Sequence, residues 1–327
     1  MQTRRLLLAS LAIATASASF GSVSAQIYPS RPITMVVPFA AGGGIDILGR
    51  ILAEHMRTSL GQPVVVENMT GATGSIGTGR VARATPDGYT LVLGNWASHV
   101  SNGAVYQLQY DLQKDFAPVA LIGHNPLWIV TRTTLPAKNL NELILWLKAN
   151  PDKASAATVG VGSGAHLCAI YFQNNTGTRF QLVPYRGGAP AIQDLIAGRV
   201  DLMCDNVSTS LPQARNGNIK ALAVLAKARW SAAPDIPTVD EAGLPGLYVP
   251  FWHWLWAPAG TPKAAITKLN SAVVNALADP KASQRLAEMG LDIPPREELT
   301  PEALRAVHQS EIEKWWPIIK AANIKAE

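Results

Sequence analysis

The sequence predicts an α/β protein with parallel strands and helices on both faces. Short apolar runs alternate with amphipathic runs through almost all of the 327 residues, which is the signature of βαβ units. Glycine-rich loops recur after the apolar runs, at 42–44, 71–79, 160–164 and 187–188. Apolar residues make up 48% and charged residues 16%, so the chain can bury a large core. Its length exceeds one typical domain and points to two α/β units.

The elements follow in order. Arg4 and Arg5 precede an apolar stretch over 6–14, and Val23-Ser24-Ala25 has the small-residue form of a cleavage site. Residues 1–25 therefore read as a signal peptide, by Sec or twin-arginine export, and the product as periplasmic. No later run is long enough to span a bilayer, so the mature chain is not expected to be membrane-embedded. An apolar run at 33–37 reads as the first strand. The helix after its glycine loop has Ile47, Ile51 and His55, with Leu48, Leu52 and Met56, at i, i+4 spacing. Strands are expected at 64–67 and 90–93, with a helix at 75–84. A helix at 139–149 is stopped by Asn150-Pro151. Strands at 154–158, 181–184, 200–204 and 222–225 alternate with helices at 164–174 and 189–197. Trp252, Trp254 and Trp256 alternate at period two, which puts them on one face of a strand. Core packing is the favoured reading of this strand, with Phe251 and His253 on its other face as the candidates to approach a cleft. Long helices at 263–278 and 301–322 close the chain.

Charge and cysteine content narrow the class. Net charge is +5, near +3 once Arg4 and Arg5 are removed, and no long basic run occurs, so no nucleic-acid partner is expected. Cys168 and Cys204 permit one disulfide in an exported protein. Two buried thiols are the favoured alternative, because neither position has a turn-like context. The six histidines are scattered, so no metal and no cofactor is expected.

Several residues point to a ligand. Consecutive glycines let the backbone approach a bound molecule. The helix start behind them presents unpaired N–H groups and the positive end of a dipole, which favours an anion. In open α/β sheets, ligands bind outside the carboxyl ends of the strands, so the other glycine loops converge on the same crevice. Asp205 and Asn206 close the strand at 200–204 and face it, with capping of the next helix by Asn206 as the alternative. His99 and His166 each follow a serine or glycine loop and open a helix, where an imidazole can donate to an anion or orient its loop. Gly77-Thr78-Gly79-Arg80-Val81-Ala82 fits a loose dinucleotide pattern but lies inside an expected helix and is discounted. Ser163 lacks the outer glycines of a nucleophile elbow. With His166 nearby, an exported hydrolase acting on a carboxylate or ester stays open as an alternative.

Ordered motifs then match a known family. They include Tyr28-Pro29-Ser30-Arg31-Pro32-Ile33, Val37-Pro38-Phe39 and Leu60-Gly61-Gln62-Pro63-Val64. Pro86-Asp87-Gly88-Tyr89-Thr90, Val183-Pro184-Tyr185-Arg186-Gly187-Gly188 and Ala257-Pro258-Ala259-Gly260-Thr261-Pro262 continue the match. Over nearly all its mature length the chain resembles substrate-binding proteins of tripartite tricarboxylate transporters, the Bug-type receptors. The resemblance implies a type II periplasmic-binding-protein fold, with two lobes, a hinge and an interlobe ligand cleft. Lobe 1 would comprise 26–125 and 227–327, and lobe 2 would comprise 126–226. It implies a monomeric receptor, not an enzyme, that captures a small organic carboxylate and delivers it to membrane transporter subunits. Signalling to a membrane sensor is a further alternative. The implied site residues are Phe39, Gly43, Gly44 and Asp46 in the first loop, and Ser98 with His99. The second lobe would add Ser163, Gly164, Ala165 and His166, then Tyr185 and Gly187, then Asp205 and Asn206. Trp96, Cys168 and Cys204 depart from the family's pattern. Trp96, with Phe39 and Tyr185, favours an aromatic acid over an aliphatic dicarboxylic acid, since a flat ring can stack on such side chains.

Overall fold

The structure is a computed structural model and describes residues 28–230 and 232–326. The expected signal peptide, 1–25, lies outside the described residues. The first elements are β1 (Ile33–Val37), α1 (Gly44–Leu60), β2 (Val64–Asn68), α2 (Ser75–Ala82), β3 (Thr90–Asn95) and α3 (Asn102–Val105). A long strand β4 (Phe116–Arg132) leads into α4 (Leu140–Ala149), β5 (Ser155–Thr158), α5 (Gly164–Thr176), β6 (Gln181–Pro184) and α6 (Gly188–Ile196). Next come β7 (Leu202–Asn206), α7 (Val207–Arg215), β8 (Ile219–Val224) and β9 (Pro250–Pro258). Three helices follow, α8 (Lys263–Ala278), α9 (Pro280–Glu288) and α10 (Pro301–Ala321).

The strands form one curled sheet in the order β2-β1-β3-β9-β4-β7-β5-β6, with β8 also paired to β4. β1 runs parallel to β2 and β3, and β5 runs parallel to β6 and β7. That is what helical crossovers produce. β4 and β9 run antiparallel to their neighbours, which corrects the all-parallel expectation. The sequence places a hinge strand near 119–130, inside β4, but Pro118, Gly123 and Pro126 interrupt the pattern that would show its full length. Register shifts at Pro118/Ala120 and Leu121/Gly123 absorb two of these interruptions. The sequence reading missed α9, where Asp279 caps the Lys281 and Ala282 N–H groups and Pro280 occupies the first turn.

β4 joins two α/β lobes. Its residues 116–126 pair with β9, and 127–132 pair with β7 and β8. The returning chain passes the same point: the Leu225 N–H donates to the Leu127 carbonyl at 2.8 Å, and the Val249 N–H to the Leu225 carbonyl at 3.2 Å. Each lobe has its own core. Ile33, Met35, Leu48, Leu52, Leu269 and Val273 pack α1 and α8 on one side of the sheet. Trp128, Val130, Ile192, Leu195, Val207 and Leu211 pack α6 and α7 in the other lobe. Each such buried side chain contributes about 1.5–3 kcal/mol relative to exposure, which anchors the helix starts where the strands end.

Cys168 of α5 and Cys204 of β7 form a disulfide with Cα atoms 6.1 Å apart, against the favoured reading of free thiols. α5 packs on β7, so residues 36 apart in sequence meet face to face, which the local context of neither cysteine could reveal.

Candidate functional site

A cleft of about 770 Å³, including space open to solvent, lies between the lobes. Three helices begin at its wall. α1 starts at Gly44 with Gly43 before it, and no side chain caps it. α6 starts at Gly188 behind Gly187, also without a side-chain cap. α5 starts at Gly164, capped by Ser163, whose Oγ accepts the His166 N–H at 3.2 Å. Each start leaves N–H groups without helical partners and adds a partial positive charge. Phe39, Gly43 and Gly44 line the cleft from one lobe, and Ser163, Gly164, Ala165 and Gly187 from the other. Asp205 and Asn206 line it from the end of β7. Among the described residues, no lysine or arginine lines this cleft. Positive potential in this cleft therefore comes from the backbone N–H groups of the helix starts.

The remaining sequence-derived candidates sit elsewhere. Asp46 is 2% exposed and holds the glycine loop from below. It accepts the Gly42 N–H at 2.9 Å, Arg50 Nε at 3.0 Å and Asn68 Nδ2 at 2.9 Å. Burial raises its pKa, but these donors outweigh burial and hold the carboxyl below its usual value. Gly42 has φ +81°, the left-handed turn that this hydrogen bond secures.

Trp96 is fully buried and donates Nε1–H to Glu311 at 2.8 Å. It packs edge-on to Trp315 beneath α10, so Trp96 offers no stacking surface at the cleft, while Phe39 lines the cleft and Tyr185 the cavity beside it. Ser98 and His99 are likewise fully buried. The Ser98 hydroxyl bonds His99 Nδ1 at 2.9 Å, and the His99 ring stacks on Trp256. Their direction was misread because the residues after β3 form a wide π-helical turn, Ala97–Ser101, on which both side chains lie in the core.

His166 is half-buried, and its Nδ1 accepts the Gly162 N–H at 3.3 Å. Ser163 and His166 thus meet as a helix cap rather than as nucleophile and base. Tyr185 and Arg186 line an adjoining cavity of about 870 Å³, which shares Phe39 and Val159 with the cleft.

Sequence reasoning missed two polar cleft residues, Asn95 at the end of β3 and Thr209 on α7; His253 on β9, with Phe251, lines the cleft from the strand face that the period-two pattern turns toward it. Asn95 could have been found by extending β3 two residues, since polar groups at the carboxyl ends of strands face the crevice. His253 donates Nε2–H to Asn125 Oδ1 at 2.8 Å, and Asn125 Nδ2 donates to the Gly290 carbonyl at 2.8 Å. That chain orients the Asn125 amide and leaves Nδ1 as the acceptor nitrogen of the ring. Burial pushes the His253 pKa down to about 3, so the ring is neutral.

Comparison with known proteins agrees with this architecture. Residues 48–324 match the family described as "Tripartite tricarboxylate transporter family receptor". The solved periplasmic binding protein BugD is 42% identical, with a TM-score of 0.87 over 91% of this chain and 100% of its own. MatC from Rhodopseudomonas palustris, solved with bound malate, is 38% identical, with a TM-score of 0.86 over 89% of this chain and 100% of its own. An R. palustris protein solved with adipate is 34% identical, with a TM-score of 0.87 over 91% of this chain and 100% of its own. Two lobes around a curled sheet, helix starts meeting at the interlobe cleft, and these likenesses lead to one conclusion: the chain has the type II periplasmic-binding-protein fold and belongs to the tripartite tricarboxylate transporter receptor family of Bug-type solute-binding proteins.

Proposed function

We propose that the chain is a periplasmic receptor that captures a small aliphatic dicarboxylate between its lobes and presents it to the membrane subunits of a tripartite tricarboxylate-type transporter. The observation that carries this reading is the meeting of the α1, α5 and α6 starts, from both lobes, on one cleft that no lysine or arginine lines. A carboxylate held by N–H groups from both lobes couples binding to closure, because only the closed form offers both sets of donors. Malate and adipate, bound by the two R. palustris relatives, have the size and charge such a cleft suits. An aromatic acid loses its main support with Trp96 in the core.

The test is a thermal-shift and calorimetric panel of malate, succinate, adipate, citrate and benzoate, with glucose as a neutral control. A rise of several degrees with at least one aliphatic dicarboxylate, and none with glucose, is expected. Stabilisation by glucose alone, or by no acid at all, would refute the reading.

A further inference from the structure

Two buried side-chain atoms of the cleft wall, Asp205 Oδ2 and His253 Nδ1, have no hydrogen-bond partner among the described residues. Both are acceptors: a carboxylate oxygen, and the ring nitrogen left without a proton when Nε2–H is committed to Asn125. Asp205 is 3% exposed and His253 is 3% exposed, so water compensates neither well. Buried polar groups are normally paired, and an orphan in a binding site marks where a ligand atom completes the set.

Among the described residues, no cationic group is among the influences on Asp205. Asp205 stands opposite Trp128 of β4 in the sheet register, and Ser210 of α7 hydrogen-bonds it. Ser210 Oγ accepts the Trp128 Nε1–H at 2.7 Å, which leaves its own O–H to donate to the carboxylate, while Asp205 Oδ2 stays without a partner. Arg132 lies at the opposite end of β7, bonded to Asp201. Burial pushes the Asp205 carboxyl up to about 7, with Ser210 and the Asn206 N–H opposing, as expected of a carboxylate lacking a counter-charge.

We infer that Asp205 determines specificity within the proposed carboxylate-binding cleft, and that its ligand carries a hydrogen-bond donor, a hydroxyl or an ammonium, as well as its carboxylate. The helix starts take the carboxylate, and Asp205 Oδ2 takes the donor. A plain diacid offers only acceptors and sets its lone pairs against those of Asp205 and His253. The inference rests on the reading of the cleft as a carboxylate site, and it narrows the dicarboxylates proposed above to hydroxy- and amino-substituted ones.

Malate, aspartate and succinate share one carbon skeleton and differ by a hydroxyl, an ammonium or neither. Calorimetry at pH 7.5 should give malate or aspartate an affinity at least about tenfold above succinate, the range for a hydrogen bond to a charged group. Asp205→Asn and Asp205→Leu should reduce the ratio to within about twofold, while circular dichroism shows both variants folded. If Asp205→Leu fails to fold, the Asp205→Asn ratio decides alone. Equal or tighter binding of succinate or adipate by the native protein overturns this inference and leaves the carboxylate reading standing. Failure of every acid to bind removes both.

Discussion

His308 shows how burial turns a single imidazole into a pH-dependent stability element. It is 4% exposed on α10 and its Nε2 donates to the His99 carbonyl at 2.6 Å. Burial pushes its pKa down to about 4. The unfolded ring titrates near 6.5, so between these values the unfolded chain binds a proton that the folded one excludes. The contribution is complete above about pH 6.5 and falls away as pH drops toward 4, by roughly 3 kcal/mol in all. His99 and His253, both lowered by burial, act with the same sign. Melting temperature should therefore fall as pH is lowered from 7 to 4, and His308→Gln should flatten that slope, as differential scanning calorimetry can measure. At this scale the sequence was legible where backbone alone matters. Gly43, Gly44, Gly164 and Gly187 were read as cleft residues from their place after strands, and they line the cleft. It was not legible where side-chain direction decides. Trp96, Ser98 and His99 occupy the expected segment, but the turn points them inward.

Among the elements, α5 and β7 meet most closely at the cleft. α5 opens at the Ser163 cap, and β7 ends at Asp205 and Asn206. The Cys168–Cys204 bond ties them together at the cleft wall, which Cys204 lines. A cross-link closing a loop of this length stabilises a domain by roughly 2–4 kcal/mol. The double variant Cys168→Ser, Cys204→Ser should lower the denaturation midpoint accordingly. It should also weaken ligand binding, since Cys204 lines the cleft directly beside Asp205. Unchanged chemical denaturation in the variant would show that packing alone holds α5 on β7. The parallel units were legible as elements because each is a short apolar run with its own helix. β4 was legible only in its middle, near 119–130, because its prolines and glycine are accommodated by pairing with β9, a strand more than a hundred residues later.

Over the whole molecule, the lobes are joined by more than the sheet. Thr73 Oγ1 donates to the Val161 carbonyl at 2.7 Å, and Tyr106 OH donates to the same oxygen at 3.0 Å. Ser101 Oγ donates to the neighbouring Gly162 carbonyl. Thr73, Ser101 and Tyr106 belong to the lobe built on β1–β3, and Val161 and Gly162 to the loop that precedes α5. These bonds exist only while the two lobes are together, so they favour closure whatever ligand lies inside. Each contributes about 0.5–1.5 kcal/mol. Thr73→Val with Tyr106→Phe should therefore move the open–closed balance by about 1–2 kcal/mol and weaken ligand affinity by roughly 5- to 30-fold. Solution scattering should show the ligand-bound double variant with a larger radius of gyration than the native complex. An unaltered profile and affinity would mean that the hydroxyls are spectators.

The same hydroxyl cluster also bears on time. In the proposed receptor, parting the lobes breaks the bonds from Thr73, Ser101 and Tyr106 to Val161 and Gly162, none of which lines the cleft, so the dwell time of a ligand is expected to depend on residues outside the recognition surface. Loosening the cluster raises the escape rate for every ligand by a similar factor, without altering which ligand is preferred.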